Sequence, residues 1–363
     1  MNRRIIAVML ALFAFACATP QGSDRNEDGL RDTPVGRYGG ALGDSPVGVI
    51  PDVTLHDDAR NKDYQISIEY PTRGTNAPLI IFSPGFGGSN DSYVGLSSYW
   101  TSNGYVVIRT SHADSNRVPQ AANAAEVWAT QTQSEWRNRV RDVTFIIDSL
   151  DTLEQRFPEL QGKIDHAKIG VGGHSYGAFT ALLLGGVKTF PGGTSYADPR
   201  VKAVVAMSPQ GPGELRGLTN ESFTSLTMPA LFMTGTKDSG VTDAETPEWR
   251  REAFTLSPAG DKWLVVLEGA RHASFTGRME DLIASVRMEN ERINSDPTPT
   301  RDTIRALPPE TGRNRTMLSA NERNIFARVK GFSLAFWDLY LKGDAKGREG
   351  LETQTSAATV ETK

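Results

Sequence analysis

Short apolar runs alternate with longer amphipathic stretches along most of this chain, and this alternation constrains the fold more than any other feature. The later runs are continuously apolar, as is typical of strands buried on both faces of a sheet. The first two contain more polar residues and suit an exposed hairpin at a sheet edge. The segments with strand character are residues 53–56, 64–70, 79–83, 105–110, 168–172, 201–207, 230–234 and 263–267.

Three stretches between or after these runs repeat their apolar residues with the 3.6-residue period of an α-helix. They cover residues 136–157, a segment that starts at Ser175, and residues 322–342. Strands that alternate with helices indicate the α/β class. The expected architecture is a mostly parallel sheet of eight strands with helices on both faces.

Two long segments, residues 111–135 and 277–321, fit neither a strand pattern nor a helix pattern. Long segments of this kind in a compact domain are usually functional or partly disordered. We therefore expect one domain over residues 47–345 that carries both segments as insertions. A flexible tail is predicted over residues 346–363.

The composition excludes two classes of protein. The chain has 363 residues, a formal net charge of −4 and one cysteine. A charge balance this close to neutral provides no basic surface, so we expect no nucleic-acid partner. One cysteine cannot form an internal disulfide, so the chain is not a disulfide-stabilised scaffold.

The first residues have the pattern of a secretory signal. Two arginines precede an apolar stretch over residues 5–16 that is too short to span a membrane. Cys17 follows at once, and residues 13–16 resemble the lipobox that precedes the acylated cysteine of bacterial lipoproteins. We therefore predict a signal peptide over residues 1–16 and lipidation of Cys17. The alternative is an ordinary signal peptide that is cleaved near Ala18.

Residues 17–46 are rich in Gly, Asp, Arg and Pro and lack apolar periodicity, so we expect a flexible tether between anchor and domain. Several acyl chains on the cysteine would hold the protein stably at a membrane, because one chain alone is marginal. The predicted location is that of an exported bacterial lipoprotein, at the outer membrane or the periplasmic face. Without lipidation the protein would be secreted.

The segment Gly173-His174-Ser175-Tyr176-Gly177 stands between a strand-like run and an apolar helical stretch. A serine on a sharp strand-to-helix turn is held in a strained conformation with its hydroxyl exposed. Glycine suits both flanks of that turn, because larger side chains there would collide with neighbouring elements. The context predicts Ser175 as a nucleophile. The alternative is a glycine-rich connection that packs closely against the sheet.

A serine hydroxyl is a poor nucleophile without a base, and a histidine is the usual base. After a serine in this kind of turn the chain order is acid and then histidine. His272 follows the last strand-like run and is the candidate base. Asp238, which follows the preceding run, is the candidate acid that would orient the imidazole. Asp243 and Glu245 are the alternatives for the acid.

The oxyanion of acyl transfer needs preorganised N–H donors. The glycine-rich loop over residues 83–89 follows a buried strand, so we predict the amides of Phe86 and Tyr176 as these donors. The alternative for the loop is an ordinary turn.

Three further side chains are candidates for binding a substrate. His112 follows the fourth strand-like run and could line the site, and two tryptophans could do the same. For both tryptophans, packing at the lid or on the helix is the alternative. These candidates are Trp128, Trp136 and His112.

Four segments, residues 83–88, 139–143, 168–177 and 269–272, resemble the dienelactone hydrolase-like branch of the α/β hydrolases. That branch is also similar to platelet-activating-factor acetylhydrolases and to bacterial cutinases. The resemblance implies an α/β-hydrolase fold and a serine hydrolase that cleaves carboxylic esters through an acyl-enzyme. It implies neither a cofactor nor a metal, and it suggests a small-molecule or lipid-like ester as the substrate.

The sequence departs from each of these relatives at one position. Plasma acetylhydrolases carry the acid after the sixth strand, where this chain has Ser208. Dienelactone hydrolases use a cysteine nucleophile, where this chain has Ser175. Cutinases carry an aromatic residue near Pro209, where this chain has Gln210. Two other functions stay open: a peptidase or amidase on the same fold, and a surface-tethered binding protein without catalytic activity.

Overall fold

The computed structural model describes residues 36–115, 133–213, 217–240, 245–278, 319–353 and 355–363. Within these residues, one sheet contains nine strands. They are β1 (Val47–Asp57), β2 (Lys62–Pro71), β3 (Ala77–Ser83), β4 (Val106–Thr110), β5 (Ile164–His174), β6 (Val201–Met207), β7 (Ala230–Lys237), β8 (Lys262–Arg271) and β9 (Ala358–Thr362).

Helices connect most of these strands. In the described parts of the chain, none of them combines the length and the apolar character that a membrane span requires. They are α1 (Val94–Ser102), α2 (Gln133–Asp148), α3 (Leu150–Arg156), α4 (Tyr176–Gly185), α5 (Pro247–Leu256), α6 (Ala320–Trp337) and α7 (Lys346–Glu352). Short helical turns cover Gly36–Tyr38, Pro158–Leu160, Asn220–Ser225, His272–Phe275 and Asp338–Lys342.

The strands lie in the order β1-β2-β4-β3-β5-β6-β7-β8-β9. The six strands from β4 to β8 in this order are parallel, whereas β1, β2 and β9 pair in antiparallel fashion. This confirms the predicted mostly parallel sheet. The carboxyl ends of parallel strands meet at one edge of a sheet, and ligands of α/β proteins bind at that edge. The loops after β3, β5, β7 and β8 therefore lie on the same side of the molecule.

Helices cover both faces of the sheet, as the sequence predicts. Along β3, Leu79 and Ile81 pack into the core under α2, α3, α4 and α5. The intervening residues Ile80 and Phe82 pack into the opposite core, under α1 and α6. This alternation follows from the two-residue period of a strand. It explains why a buried parallel strand is apolar at every position.

The C-terminal segment differs from the prediction, because residues 346–363 are not a flexible tail. They form α7 and β9, and β9 pairs with β8 through Val360 opposite Val265. Leu351 and Ala358 are buried in the core. The segment offers few apolar residues, so its pattern is too weak to reveal a strand that is stabilised by pairing at the sheet edge. The sheet therefore has nine strands among the described residues instead of eight.

The packed domain also begins earlier than residue 47. Arg37 forms an ion pair with the buried Asp338, with Nε 2.7 Å from Oδ2, and the hydroxyl of Tyr38 also donates to Asp338. The predicted signal peptide, Cys17 and the tether up to residue 35 lie outside the described residues, as does most of both predicted insertions.

Candidate active site

The turn between β5 and α4 places Ser175 in a strained conformation, with φ 53° and ψ −117°. Positive φ is costly for a residue with a side chain, and such strain is concentrated at functional sites. Both flanking glycines are required. A Cβ atom at Gly173 would overlap the carbonyl group of Gly177, and a Cβ atom at Gly177 would overlap the carbonyl oxygen of Ser83. The sequence prediction of a sharp strand-to-helix turn thus matches the backbone.

The structure brings the three predicted residues of the site into one hydrogen-bonded set. Nε2 of His272 lies 3.0 Å from Oγ of Ser175, and Nδ1 of His272 lies 3.0 Å from Oδ1 of Asp238. An ionised carboxylate only accepts hydrogen bonds, so Nδ1 carries the proton and Nε2 faces the serine hydroxyl with its lone pair. This arrangement allows the imidazole to accept a proton from Ser175.

The serine and the histidine of this set are partly exposed, whereas the acid is buried. Ser175 is partly exposed, the His272 side chain is 28% exposed, and the Asp238 side chain is 0% exposed. A substrate can therefore reach the serine and the imidazole, while the carboxylate is shielded from water. Charge interactions are stronger in such a water-excluded environment.

Four groups contact the buried carboxylate of Asp238. Thr234 donates to Oδ2 at 2.9 Å, Ser208 donates to Oδ1 at 2.8 Å, and Arg250 forms an ion pair with Oδ1 at 3.0 Å, in addition to His272. Burial alone would raise the pKa of Asp238. The positive charge of Arg250 and the hydrogen bonds from His272 and Ser208 outweigh burial and hold that pKa below its usual range. The carboxylate is therefore ionised.

Neither Ser208 nor Arg250 was predicted as a residue of the site. Ser208 follows β6, at the position where the acetylhydrolase pattern has its acid. That position could therefore have indicated a residue near the imidazole. Arg250 lies on α5 and donates to the main-chain oxygen of Asp238 at 3.1 Å and to that of Ser208 at 3.2 Å. No motif marks this arginine, because its contacts depend on how α5 packs.

The alternative acids are placed differently. Asp243 lies outside the described residues. Oε2 of Glu245 lies 3.6 Å from Nη2 of Arg250, whereas Asp238 contacts the imidazole of His272 directly.

The glycine-rich loop over residues 83–89, hereafter the oxyanion loop, lies against the start of α4. The carbonyl groups of Ser83 and Pro84 lie so close to Gly177 that a Cβ atom there would collide with both. The rings of Phe86 and Tyr176 are 6.5 Å apart between centroids. The loop that contains Phe86 thus packs against the turn that contains Ser175 and Tyr176.

A comparison with known families agrees with this geometry. Residues 80–329, more than half of the chain, match the model of the alpha/beta hydrolase family. This chain belongs to the alpha/beta hydrolase family. The matched region runs from β3 to α6 and includes Ser175, Asp238 and His272. No curated protein matches the chain.

His174, next to the serine of this hydrolase, links two parts of the site. Its Nε2 lies 2.8 Å from the main-chain oxygen of His272, and its Nδ1 lies 2.8 Å from the hydroxyl of Tyr93. A carbonyl oxygen only accepts, so Nε2 carries the proton and Nδ1 accepts from Tyr93. Tyr93 in turn accepts from the amide of Gly85 at 3.1 Å. The ring therefore connects the loop of His272 to the oxyanion loop.

The same ring is electrically neutral. Burial, together with the nearby His272, lowers the pKa of His174 well below its usual value. His174 is 4% exposed, which agrees with a structural role inside the hydrolase and not with contact to a substrate.

His112 was expected to line the site, but the structure buries it. It is 2% exposed, and its Nδ1 lies 2.8 Å from Asp142 while its Nε2 lies 2.9 Å from Oγ of Ser83. These three residues form a second Ser-His-Asp set. Ser83 and Asp142 are both 0% exposed, so no substrate can reach this set. Instead of lining the site, His112 is covered by the oxyanion loop and α2 through its contacts with Ser83 and Asp142.

The two predicted tryptophans have different outcomes. Trp128 lies outside the described residues. Trp136 is 4% exposed, and its ring stacks on Phe179 with centroids 5.2 Å apart. This packing in the core accounts for Trp136 without a substrate.

One group among the described residues has the composition of a metal site. Ligand atoms of Asp151, Glu154 and His166 lie within 4.8 Å of one another. The Asp151 side chain is 82% exposed, and His166 already bonds to Glu154 at 3.1 Å. His166 is near the start of β5, about 30 Å along the strand from Ser175 at roughly 3.3 Å per residue. The group is therefore separate from the candidate active site.

Proposed function

We propose that this alpha/beta hydrolase is a serine hydrolase that cleaves carboxylic esters through an acyl-enzyme intermediate. The observation that carries the proposal is the continuous set from Ser175 through His272 to Asp238, with both hydrogen bonds at 3.0 Å. Its serine is accessible and its acid is buried and ionised. A hydroxyl, a neutral imidazole and a carboxylate in this order are the groups that acyl transfer requires.

In the first half of the reaction, Nε2 of His272 takes the proton from Oγ of Ser175 while Oγ attacks the ester carbonyl carbon. The imidazolium that forms keeps its Nδ1 proton on Asp238, which stabilises the positive charge without taking the proton. The amides of Phe86 and Tyr176 donate to the oxyanion of the tetrahedral intermediate.

Collapse of that intermediate breaks the bond to the leaving oxygen, which receives the proton from His272 and departs as an alcohol. The acyl group then remains as an ester on Ser175. In the second half, His272 takes a proton from water, and the resulting hydroxide attacks the acyl carbonyl. The second tetrahedral intermediate breaks its bond to Oγ and releases the carboxylic acid, while His272 returns its proton to Oγ of Ser175.

The position of the acid supports a narrower relationship within the family. We propose the dienelactone hydrolase-like branch, because Asp238 follows β7, as in the dienelactone hydrolase and cutinase pattern. Ser208 stands at the acetylhydrolase position after β6.

The N-terminal sequence supports a proposal about location. Cys17 follows an apolar stretch that is preceded by two arginines, so we propose an exported lipoprotein anchored at a membrane. The substrate would then be a small-molecule or lipid-like ester outside the cytoplasm. Fractionation of cells that express the full chain beside Cys17→Ser tests this location. The wild type should sediment with membranes, whereas an intact mass that shows an unmodified N-terminus downstream of Cys17 would contradict it.

A panel of p-nitrophenyl esters of increasing acyl length, with p-nitroanilides of the same acyl groups beside it, tests the reaction. The wild type should hydrolyse the esters. Ser175→Ala should lose about a million-fold in kcat, as is typical of a nucleophile in such a triad. Ser333→Ala is the control, because it removes a buried serine hydroxyl that bonds to Trp100 in the opposite core.

Three results would contradict the proposed function. A Ser175→Ala variant that keeps more than a tenth of the esterase activity would show that another residue attacks. Faster cleavage of the anilides than of the esters would indicate an amidase. A wild type that cleaves neither series would favour a binding protein.

A further inference from the structure

The oxyanion loop is fixed by one arginine from α2. Arg139 is 1% exposed, and its guanidinium donates to the main-chain oxygen of Pro84 at 2.8 Å and to that of Gly85 at 3.4 Å. Residues 139–143 belong to the segments that carry the family resemblance, but the proposed reaction does not use them.

A buried acid completes the contact on the other side of Phe86. Asp114 accepts from the amide of Gly87 at 3.2 Å. It also binds Arg139 through two contacts, Nε to Oδ1 at 2.9 Å and Nη2 to Oδ2 at 2.5 Å. The side chains of the pair are 1% and 3% exposed. A single bidentate ion pair thus holds the carbonyl oxygen of Gly85, before Phe86, and the N–H of Gly87, after it.

These contacts set the orientation of the peptide group between Gly85 and Phe86. Its carbonyl oxygen accepts from Arg139, and its N–H is the proposed oxyanion donor. In a planar trans peptide these two groups point in opposite directions. An arginine that holds the carbonyl oxygen therefore directs the Phe86 N–H away from itself. Asp114 fixes the next peptide group, between Phe86 and Gly87, in the same way.

The same arginine also touches the residue of the second proposed donor. Its guanidinium carbon lies 4.1 Å from the centroid of the Tyr176 ring. One rigid, planar cation thus contacts both the peptide group that carries the Phe86 N–H and the side chain of Tyr176. A lysine could not replace it, because a single ammonium cannot match this fork of contacts.

A buried ion pair contributes little net stability compared with apolar side chains of the same volume. What it supplies here is a defined geometry for a loop that contains three glycines among the seven residues 83–89. Without the pair, Gly85, Gly87 and Gly88 would leave the backbone of the loop free to rotate. We propose that Arg139 and Asp114 are the positioning residues of the oxyanion hole. This inference rests on the proposed serine hydrolase function.

The test compares Arg139→Lys and Asp114→Asn with a matched control. Arg109→Lys alters another buried ion pair, in which Arg109 binds Glu69 at 2.9 Å and donates to the main-chain oxygen of Ser92. For each variant, kcat and KM on p-nitrophenyl acetate are measured together with the affinity for a trifluoromethyl ketone. This inhibitor forms a tetrahedral adduct with the serine and places an oxyanion in the hole.

Loss of one oxyanion donor costs about 100-fold to 1000-fold in kcat in a serine protease. We expect Arg139→Lys and Asp114→Asn to lower kcat by about 100-fold, with KM within about threefold of the wild-type value. The trifluoromethyl ketone should bind more weakly by a similar factor, because the hole acts on the transition state and not on the bound substrate. The pH at which activity falls should not move, because the imidazole is not altered. Arg109→Lys should leave kcat and inhibitor affinity within about threefold of the wild type.

Equal losses in the Arg109 and Arg139 variants would overturn the inference, as would an increase in KM with kcat retained. If Arg139→Lys does not fold, Asp114→Asn, which preserves the shape of the side chain, provides the same comparison. An active wild type beside fully active Arg139→Lys and Asp114→Asn variants would contradict this inference alone. A wild type without activity would contradict the proposed function as well.

Discussion

The hydroxyl of Ser208 lies 2.7 Å from Nδ1 of His272, closer than the carboxylate of Asp238, which lies 3.0 Å from the same nitrogen. The hydroxyl also donates to that carboxylate at 2.8 Å. Ser208 therefore bridges the imidazole and the acid. The oxygen of this hydroxyl is a second acceptor for the Nδ1 proton of His272, and its own proton is donated to the carboxylate of Asp238.

The Ser208→Ala variant removes both contacts and keeps the direct contact between Asp238 and His272. A hydrogen bond to a charged group contributes about 1.5–3 kcal/mol, so kcat/KM for an ester should fall by about 10-fold to 150-fold. Steady-state kinetics on p-nitrophenyl acetate measure the loss. A loss as large as that of Asp238→Asn would mean that Ser208, and not Asp238, orients the imidazole.

Asp238→Asn should lower kcat by about ten-thousand-fold, because the amide stabilises the wrong tautomer of His272 and cannot stabilise its positive charge. Glu245→Gln is the control, since Glu245 lies 3.6 Å from Arg250, whereas Asp238 contacts the imidazole of His272 directly. Near-ultraviolet circular dichroism checks that both variants keep their packing. If Glu245→Gln or Asp243→Asn causes the larger loss, the acid has been assigned to the wrong residue.

Arg250→Met should destabilise the fold strongly. The variant leaves the carboxylate of Asp238 buried beside no cation, and removing one partner of a buried ion pair costs about 3–5 kcal/mol. Its neighbour Arg251 provides the control, because the pair of Arg251 with Glu361 is exposed, with side-chain exposures of 43% and 41%. Arg251→Met should cost less than about 1 kcal/mol. Urea denaturation measures both changes, and equal values would contradict the assigned role of Arg250.

Two buried neutral histidines predict how stability depends on pH. Burial, with Arg139 nearby, lowers the pKa of His112, and burial, with His272 nearby, lowers that of His174. Below about pH 6.5 the unfolded chain binds protons at these rings and the folded chain does not, so the free energy of unfolding decreases as the pH falls. Between pH 7.5 and pH 5.5 a histidine that stays neutral in the folded state lowers the free energy of unfolding by at most about 1.4 kcal/mol. His174, whose pKa lies well below its usual value, should approach this limit more closely than His112.

The buried carboxylates affect the free energy of unfolding at lower pH. Burial raises their pKa values, but paired cations and hydrogen bonds outweigh it and lower the pKa values of Asp114, Asp142 and Asp238. Their contribution is present above about pH 4 and is lost only below it. Urea denaturation of the wild type and of His174→Gln between pH 5.5 and 7.5 therefore isolates the contribution of His174 to the pH dependence of stability. An identical pH dependence in the two proteins would contradict the neutral state of His174.

The residues that the sequence could predict share one property, which is their place at the ends of strands. Ser175, Asp238 and His272 follow β5, β7 and β8, and the ends of neighbouring parallel strands meet at one edge. Their order along the chain was therefore enough to predict that they lie close together. The same reasoning failed for His112, which also follows a strand, because helix α2 and the oxyanion loop bury it.

The residues that the sequence could not predict act through packing between distant segments. Arg250 reaches Asp238 from α5, and Arg139 reaches the oxyanion loop from α2. A charged residue on an amphipathic helix is usually solvated, so the helical pattern predicts neither contact. Arg139 does lie in a segment that carries the family resemblance, but that resemblance does not say what the side chain contacts. The strand β9 was missed for a related reason, because its pairing with β8 stabilises a segment that has little strand character of its own.

The most direct test of the account is the site of reaction with a fluorophosphonate probe, which bonds to an activated serine. After labelling, the protein is digested and the modified residue is identified by mass spectrometry, with Ser175→Ala and the wild type treated alike. We expect one label per wild-type molecule, on Ser175, with loss of esterase activity in proportion to labelling, and no label on Ser175→Ala. A label on another serine, or an unlabelled wild type, would contradict the assignment of Ser175 as the nucleophile.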